Sequence, residues 1–188
     1  GDIVAEDGGA IDLTLRNSLN VTGTLSALDG GVVSIAYGQN TDGHSNQITG
    51  DLIADGGKMS ITGEDSMALN GGAFAANDGE LTLSLGSGSV WAGRVDDYQD
   101  AANEDWAAKH KEIFETPITS INKDGDVTVK LASGAKWNVT GQSWVTKLEG
   151  RGIIDLRGSE KEGGETGGYA IHIGELNGSN TFYLNLYN

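Results

Sequence analysis

Short segments in which apolar and polar residues alternate one by one recur along the whole chain. Alternation with a period of two residues is typical of β-strands that bury one face. Most of these segments end at Gly, Asn or Asp, which favour tight turns. The clearest segments span residues 11–16, 59–61, 81–85, 127–131, 170–173 and 182–186. With one exception, described below, no helical periodicity separates them, so the pattern excludes βαβ crossovers and predicts an all-β chain.

An internal repeat indicates how the strands are arranged. The segment LTLSLGSGSVWAG, which begins at Leu81, aligns with VTVKLASGAKWNV, which begins at Val127, and the alignment matches Trp91 with Trp137. The chain has only 4 tryptophans, so we interpret this match as structural. Repeated strand units of roughly 20 residues are typical of solenoids. The repeat therefore favours a parallel β-helix of about eight or nine coils, with a β-sandwich as the alternative.

Composition limits both the core and the partners. Only 6% of the 188 residues are aromatic and 30 are glycine, so the core must be built largely from small aliphatic side chains. A formal net charge of −15 disfavours binding to nucleic acid or to anionic membrane surfaces. The chain has no cysteine, which excludes a disulfide scaffold and a thiolate metal site.

One segment breaks the β pattern and predicts a helical excursion at about residues 97–116. Asn103 can cap a helix that begins there, and Pro117 stands where that helix would end. Trp106 and His110 are one helical turn apart and share a face. Two interpretations are open: this face packs onto the β structure and protects its edge, or the excursion protrudes and binds a partner. For the second interpretation, the predicted binding residues are Tyr98, Trp106 and His110.

The last part of the chain has a further pattern of Trp, Gly and apolar segments. Trp137 is followed by strands at about residues 144–148 and 153–156. Two glycine-containing segments, Gly167-Gly168-Tyr169 and Leu176-Asn177-Gly178, then precede a closing apolar strand at residues 182–186. This order resembles the C-terminal passenger region of bacterial autotransporters, of the pertactin-like type with its autochaperone section. The resemblance covers roughly a third of the chain.

The resemblance implies a right-handed parallel β-helix, here with one short helical insertion. It divides the chain into coils at residues 1–130, interrupted by the excursion at about 97–116, and an autochaperone-like cap at residues 131–188. It also implies display on the bacterial cell surface after export through an outer-membrane barrel encoded further along the same polypeptide. Since the chain opens with Gly1-Asp2 and no apolar leader, we expect the export signal to lie outside this sequence.

The resemblance also implies a folding nucleus at the C-terminal end. The residue sizes favour the same conclusion, because large side chains concentrate apolar burial there. In a solenoid, folding can begin at the most stable coils and propagate through contacts between neighbouring coils. The predicted nucleus comprises Trp137, Trp144, Tyr169, Gly178 and Phe182.

No motif predicts catalysis. His44, His110 and His172 are scattered and lack the spacing of metal ligands, and His172 alternates with two isoleucines, so it should point outward from a strand. The carboxylates that could serve a polysaccharide lyase or hydrolase are Asp96/Asp97, Asp124/Asp126 and Glu160/Glu162/Glu165. Acidic clusters are, however, expected on any surface with this net charge. We therefore expect no enzyme activity, no cofactor and no metal site.

Three functions remain open at this point. The first is a surface-displayed passenger that acts in adhesion or self-association, with a host-cell or extracellular-matrix ligand or a second copy as its partner. The second is a carbohydrate-binding or polysaccharide-degrading β-helix protein. The third is a stalk and folding nucleus that holds another functional part away from the membrane. None of the three involves nucleic acid.

Overall fold

The computed structural model describes residues 1–15, 18–38, 45–99, 116–158 and 169–184. These residues form nineteen β-strands and no helix, so the all-β prediction is confirmed. The predicted helical excursion falls almost entirely on residues 100–115, which lie outside the described residues. In the described part of the chain, no helix has the length and apolar character needed to cross a membrane.

The strands, numbered β1 to β19 in chain order, belong to three sheets. Sheet A contains β1 (Ile3–Ala5), β4 (Leu25–Leu28), β7 (Leu52–Asp55), β10 (Ala73–Ala76) and β13 (Val95–Asp96). Sheet B contains β2 (Ala10–Leu15), β5 (Val32–Tyr37), β8 (Lys58–Gly63), β11 (Glu80–Leu85), β14 (Asp126–Leu131), β16 (Ser143–Gly150) and β18 (Ile171–Gly178). Sheet C contains β3 (Asn20–Thr22), β6 (Asn46–Thr49), β9 (Met67–Asn70), β12 (Val90–Gly93), β15 (Lys136–Val139), β17 (Ile153–Asp155) and β19 (Thr181–Tyr183).

The chain visits the sheets in the cyclic order A, B, C, and within each sheet the strands stand in the order in which the chain makes them. All named strands pair in parallel with the strand of the next round. A β-sandwich would need antiparallel sheets, so that alternative is excluded. The arrangement is consistent with a solenoid-like fold.

The register of neighbouring strands confirms the predicted internal repeat. Strand β11 pairs with β14 so that Thr82 lies opposite Thr128, and β12 pairs with β15 so that Trp91 lies opposite Trp137. Sheet B nevertheless has seven strands, fewer than the eight or nine coils predicted. The residues between β13 and β14, and those between β17 and β18, add no further strand within the described ranges.

The stack narrows after β13, because sheet A receives no further strand in the described part of the chain. Between β15 and β16 the chain crosses that side through a short turn at residues 140–142. The Ser143 hydroxyl, directly after this turn, accepts a hydrogen bond from the Val95 N–H at 3.1 Å. A side-chain oxygen therefore takes the place of the backbone partner that another strand would have supplied at this edge.

Glycines form the corner where sheet C passes into sheet A. Gly50 and Gly71 have φ angles of +143° and +154°, which side-chain-bearing residues rarely adopt. A Cβ atom at Gly50 would lie 2.1 Å from the Gly23 carbonyl oxygen, and one at Gly71 would lie 2.1 Å from the Gly50 carbonyl oxygen. The rounds that continue from sheet C into β7 and β10 therefore need a glycine here so that the neighbouring backbone can approach.

Side chains of successive rounds stack inside the three sheets. In sheet C the inward residues are, in order, Val21, Ile48, Leu69, Trp91, Trp137, Ile154 and Phe182. The two tryptophans have no exposed surface, whereas Phe182 is half-buried and Leu176 of the last sheet B strand is 51% exposed. Apolar burial is therefore greatest in the middle rounds, because the last described round has no round above it. Within the described residues, burial does not increase toward the C-terminal end, and the folding nucleus there stays a prediction.

Candidate functional site

The chain leaves the stack after β13 and returns before β14, and the two ends of this departure are packed together. Tyr98 has no exposed surface, and its hydroxyl forms a hydrogen bond with the Thr116 hydroxyl. Its ring belongs to an apolar cluster on the outer face of sheet A, separate from the main core, which we call the outer cluster: Phe74, Ala76, Tyr98 and Ile118. Burial raises the pKa of Tyr98 well above its ordinary value, so the side chain stays neutral.

The outer cluster changes the interpretation of one predicted binding residue. Because Tyr98 is fully buried, it cannot present its ring to a partner, and we correct its role to that of an anchor for the excursion. Trp106 and His110, the other two predicted binding residues, lie outside the described residues. Their role stays a prediction. Sequence reasoning missed the outer cluster because its members come from three separate segments.

The acidic pair Asp96/Asp97 is also part of this anchor. Asp96 and Asp97 are 0% and 3% exposed. Asp96 accepts a hydrogen bond from the Tyr98 N–H at 3.0 Å and forms an ion pair with Arg94 at 3.1 Å. Asp97 accepts a hydrogen bond from the Thr146 hydroxyl at 2.8 Å. Burial raises the pKa of Asp97, and the hydrogen bond from Thr146 opposes that effect. Two carboxyls buried in this way cannot flank an open substrate groove.

Asn77 holds the returning segment against sheet A. Its side-chain amide donates hydrogen bonds to a carboxylate oxygen of Asp55 at 2.6 Å and to the Ser120 carbonyl oxygen at 2.8 Å. Its side-chain oxygen accepts a hydrogen bond from the Asn122 N–H at 2.8 Å. Asn77 has a φ of 55°, a conformation that asparagine tolerates better than most residues. The Asn77 side chain thus joins Asp55 of β7 to the returning segment at Ser120 and Asn122.

A groove of about 580 Å³ lies at the corner between sheets C and A, next to the returning segment. We call it the corner groove. Its lining includes Asp51, Asn70, Phe74, Arg94, Pro117 and Thr140. The Arg94 guanidinium lies over the Phe74 ring, 4.8 Å from the ring centroid. Sequence reasoning did not identify this groove, although a Gly that follows Thr or Asn recurs at Gly50, Gly71 and Gly141 and could have marked the shared corner.

The second predicted acidic pair lines another groove, of about 500 Å³, beside sheet B. Asp124 and Asp126 share it with Asp78, Glu80 and Lys123. Lys123 pairs with Asp78, and Lys58 pairs with Glu80 at 2.6 Å, so two of the four acids are neutralised. Among the described residues, no three His, Asp or Glu side chains are grouped as metal ligands. Glu160, Glu162 and Glu165 lie outside the described residues.

Of the predicted folding nucleus, Trp137 belongs to the main core and Tyr169 and Phe182 pack against it, whereas Trp144 does not. Trp137 is buried in the core, while Trp144 is half-buried on the outer face of sheet B, where it stacks on His172 with ring centroids 5.0 Å apart. Tyr169 and Phe182 are half-buried in the last round. Gly178 ends β18 with a φ of +99°, and a Cβ there would lie 2.1 Å from the Gly150 carbonyl oxygen.

The histidines follow the outward pattern where they can be placed. His172 is exposed, which confirms its predicted outward orientation. His44 and His110 lie outside the described residues. The described residues thus form a stack with two grooves and fixed ends for the excursion. Among them, no pair of exposed groups forms a nucleophile with its base.

Comparison with protein families, curated proteins and solved structures finds no match to this chain.

Proposed function

We propose that this chain is a stretch of right-handed parallel β-helix from a surface-displayed bacterial autotransporter passenger, acting as a stalk that carries an adhesive excursion. The observation that carries the proposal is the parallel pairing of successive rounds, over seven strands in each of sheets B and C and five in sheet A. The C-terminal sequence pattern supplies the likeness to autotransporters. In this proposal the chain is exported through an outer-membrane barrel of the same polypeptide and is not an enzyme.

The geometry favours a stalk. Seven parallel strands spaced by about 4.8 Å give sheet B a rise of about 29 Å along the stack. Each round contacts only its neighbours, so such a stack can be long without a large globular core. A rigid extended body of this kind separates what it carries from the surface to which it is attached.

The adhesive part is proposed to be the excursion. Binding residues are commonly found on loops that a rigid scaffold holds in place. Here the two ends of the excursion are fixed by the outer cluster and by the hydrogen bonds of Asp97 and Asn77. Trp106 and His110 remain the proposed contact residues, and the proposed partner is a host-cell or extracellular-matrix ligand or a second copy of the chain.

Export tests the first half of the proposal. The chain, fused upstream of an outer-membrane autotransporter barrel with a secretory signal peptide, is expected to become accessible to protease added outside intact cells. A fusion that carries an unrelated globular domain of similar size serves as the control. Retention of the chain inside the cell, with the barrel correctly inserted, would contradict the proposal.

Binding tests the second half. Residues 100–115 are replaced by a short Gly/Ser turn, while Tyr98 and Thr116 are kept because they anchor both ends. Binding of the purified chain to host cells or matrix proteins is expected to disappear in this variant, while the β signature in circular dichroism stays. Binding that survives the replacement would place the adhesive surface elsewhere on the stack.

A carbohydrate-processing protein is the second candidate, and the groove that Asp124 and Asp126 line is the observation that favours it. Hydrolysis of a glycosidic bond needs a pair of carboxyl groups, one on each side of the bond. Release of reducing sugar from polysaccharides, lost in both Asp124→Asn and Asp126→Asn, would support this candidate. Absence of release from a broad polysaccharide panel would remove it.

A further inference from the structure

The corner groove is a concave polar site that the stalk does not use. Its volume of about 580 Å³ lies within the range of about 300–1,000 Å³ that is typical of small-molecule sites. The glycines of the corner, Gly71, Gly72 and Gly93, line it with bare backbone. A ligand in the groove can therefore contact the main chain directly.

Three side chains offer hydrogen-bonding groups to a ligand in this groove. One carboxylate oxygen of Asp51 accepts a hydrogen bond from the Gly72 N–H at 2.7 Å, which fixes the carboxylate at the rim. Within the described ranges, the other Asp51 oxygen, the exposed carboxamide of Asn70 and the hydroxyl of Thr140 have no hydrogen-bond partner. The groove thus offers a strong acceptor, an amide that both donates and accepts, and a hydroxyl.

The charges around the groove disfavour ionic ligands. Asp51 is the only acidic residue in the described lining, and one carboxylate does not supply the oxygen ligands that a divalent cation requires. The charge of Arg94 is compensated by its ion pair with Asp96 at 3.1 Å. The net charge of −15 disfavours phosphate and sulfate groups. An uncharged ligand with many hydroxyl groups matches the chemistry that is left.

Pro117 supplies an apolar surface beside these polar groups. It is exposed and lines the groove, and it is held there by the neighbouring Thr116 and Ile118, which belong to the anchor of the excursion. A pyranose ring has one face of C–H groups and a rim of hydroxyls. The combination of Pro117 with Asp51, Asn70 and Thr140 is complementary to such a ring.

We propose that the corner groove binds a neutral saccharide. Asp51, Asn70 and Thr140 form hydrogen bonds with its hydroxyl groups, and Pro117 packs against the C–H face of a sugar ring. The described lining of the groove contains none of residues 100–115, so the groove is a second site and the inference goes beyond the adhesive role proposed above for the excursion.

The test begins with the purified chain on a surface that carries immobilised neutral oligosaccharides, together with sialylated and sulfated ones for comparison. Binding to one or more neutral oligosaccharides is expected. The bound oligosaccharide is then titrated into the chain and its variants, with the dissociation constant read from NMR chemical shifts. Asn70→Ala and Thr140→Ala each remove one hydrogen bond to the ligand and are expected to weaken binding roughly ten-fold.

Asn138→Ala is the matched control. Asn70 pairs with Ala92 and Ala92 with Asn138, so Asn138 occupies the same position of sheet C two rounds later. It does not line the groove, and its replacement is expected to leave binding unchanged. The thermal midpoints of the variants, measured beside the binding, show whether each one is folded.

Three results would overturn the inference: no neutral oligosaccharide is bound, only charged ones are bound, or Asn138→Ala weakens binding as much as Asn70→Ala. None of these results affects export, which is measured by protease accessibility at the cell surface. Conversely, a chain that binds the saccharide but is not exported would remove the surface role and leave the groove as a saccharide site.

Discussion

The two stacked tryptophans serve the core in two ways. Their rings pack in parallel, with centroids 4.6 Å apart and an angle of 11° between the planes. Each indole N–H also donates a hydrogen bond to a glycine carbonyl oxygen, Trp91 to Gly71 at 2.8 Å and Trp137 to Gly93 at 2.9 Å. A buried indole needs such a partner. The pair therefore fills the core and also ties sheet C to the glycine corner.

Trp137→Ala is expected to lower the free energy of unfolding by about 3–5 kcal/mol, because it leaves a cavity beside Trp91. Trp144→Ala removes the same kind of side chain from a half-buried position on the outer face of sheet B. It is expected to lower the free energy of unfolding by clearly less. Chemical denaturation of both variants measures the difference. Equal losses would contradict the burial that separates the two residues.

Acid is expected to destabilise the fold through Asp155. Arg157 binds both of its carboxylate oxygens, at 2.8 and 2.7 Å, and Lys136 lies at 2.9 Å. The hydrogen bonds from Arg157, helped by Lys136 and opposed by burial, hold the pKa of Asp155 well below its ordinary value. Its stabilising contribution is therefore present above about pH 4 and is lost as the pH falls from there toward the folded-state pKa.

Asp155→Asn is accordingly expected to show a smaller fall in thermal midpoint than the parent chain between about pH 6 and about pH 3. Thermal unfolding followed by circular dichroism at a series of pH values gives both curves. Parallel curves for the two proteins would show that Asp155 does not carry this pH dependence.

Asp97 is expected to act in the opposite direction. Burial raises its pKa in the folded state, so the folded chain gains stability as the pH falls through that raised pKa and loses it as the pH rises. Asp97→Asn removes the buried charge. The thermal midpoint of Asp97→Asn minus that of the parent chain is expected to be higher at neutral pH than at about pH 4. A difference between the two proteins that stays constant over this interval would contradict the assignment.

Among the elements, the segment that returns from the excursion depends on one side chain of the stack. Asn77→Gly is expected to loosen residues 118–123, because it removes four hydrogen bonds while glycine still tolerates the positive φ. The expected signature is faster amide hydrogen exchange and earlier proteolysis in this segment. Asn70→Ala, which changes an exposed asparagine outside the segment, serves as the control. Unchanged exchange at residues 118–123 would show that the outer cluster alone holds the segment.

Strands were predictable from the sequence where only one of their faces is buried. The alternating segments at residues 81–85 and 127–131 became β11 and β14, since their outward side chains face solvent or are half-buried. Strand β10 could not be found in this way. All four of its residues are buried, because the outer cluster covers the face that would otherwise be polar. A period of two disappears when both faces of a strand are apolar.

The site was less predictable than the strands. Tyr98 lies at the start of the predicted excursion, but nothing in its neighbours along the chain indicates whether it points into the protein or away from it. Its burial depends on Phe74, which is distant in sequence and packs on it only because β10 and β13 pair. The corner groove depends in the same way on Asn70 and Pro117, which the sequence gives no reason to join.

For the whole molecule, stability is expected to be highest in the middle rounds. Side chains there are covered by rounds on both sides, whereas Leu13 of the first round and Phe182 of the last are only half-buried. The amides of β8, β11 and β14 are therefore expected to exchange most slowly with solvent, and those of β18 and β19 much faster. Hydrogen exchange measured by NMR tests this order. Slowest exchange in β18 and β19 would instead support the C-terminal nucleus that the resemblance implies.

The stacking of the whole molecule was predictable from one pair of rare residues, because Trp91 and Trp137 fixed the register of two neighbouring rounds. The narrowing after β13 was not. At that edge the Ser143 hydroxyl takes over a hydrogen bond from the backbone, and a serine near a glycine is common throughout this chain.

The glycine corners restrict how the gene for such a protein can change in length. Each round presses its backbone against the previous one at these corners, and a shift of one residue within a strand would turn its core side chains toward solvent. Small insertions and deletions are therefore expected to survive only between strands. Duplication or loss of a complete round keeps every residue on its own face, so related genes should differ by whole rounds.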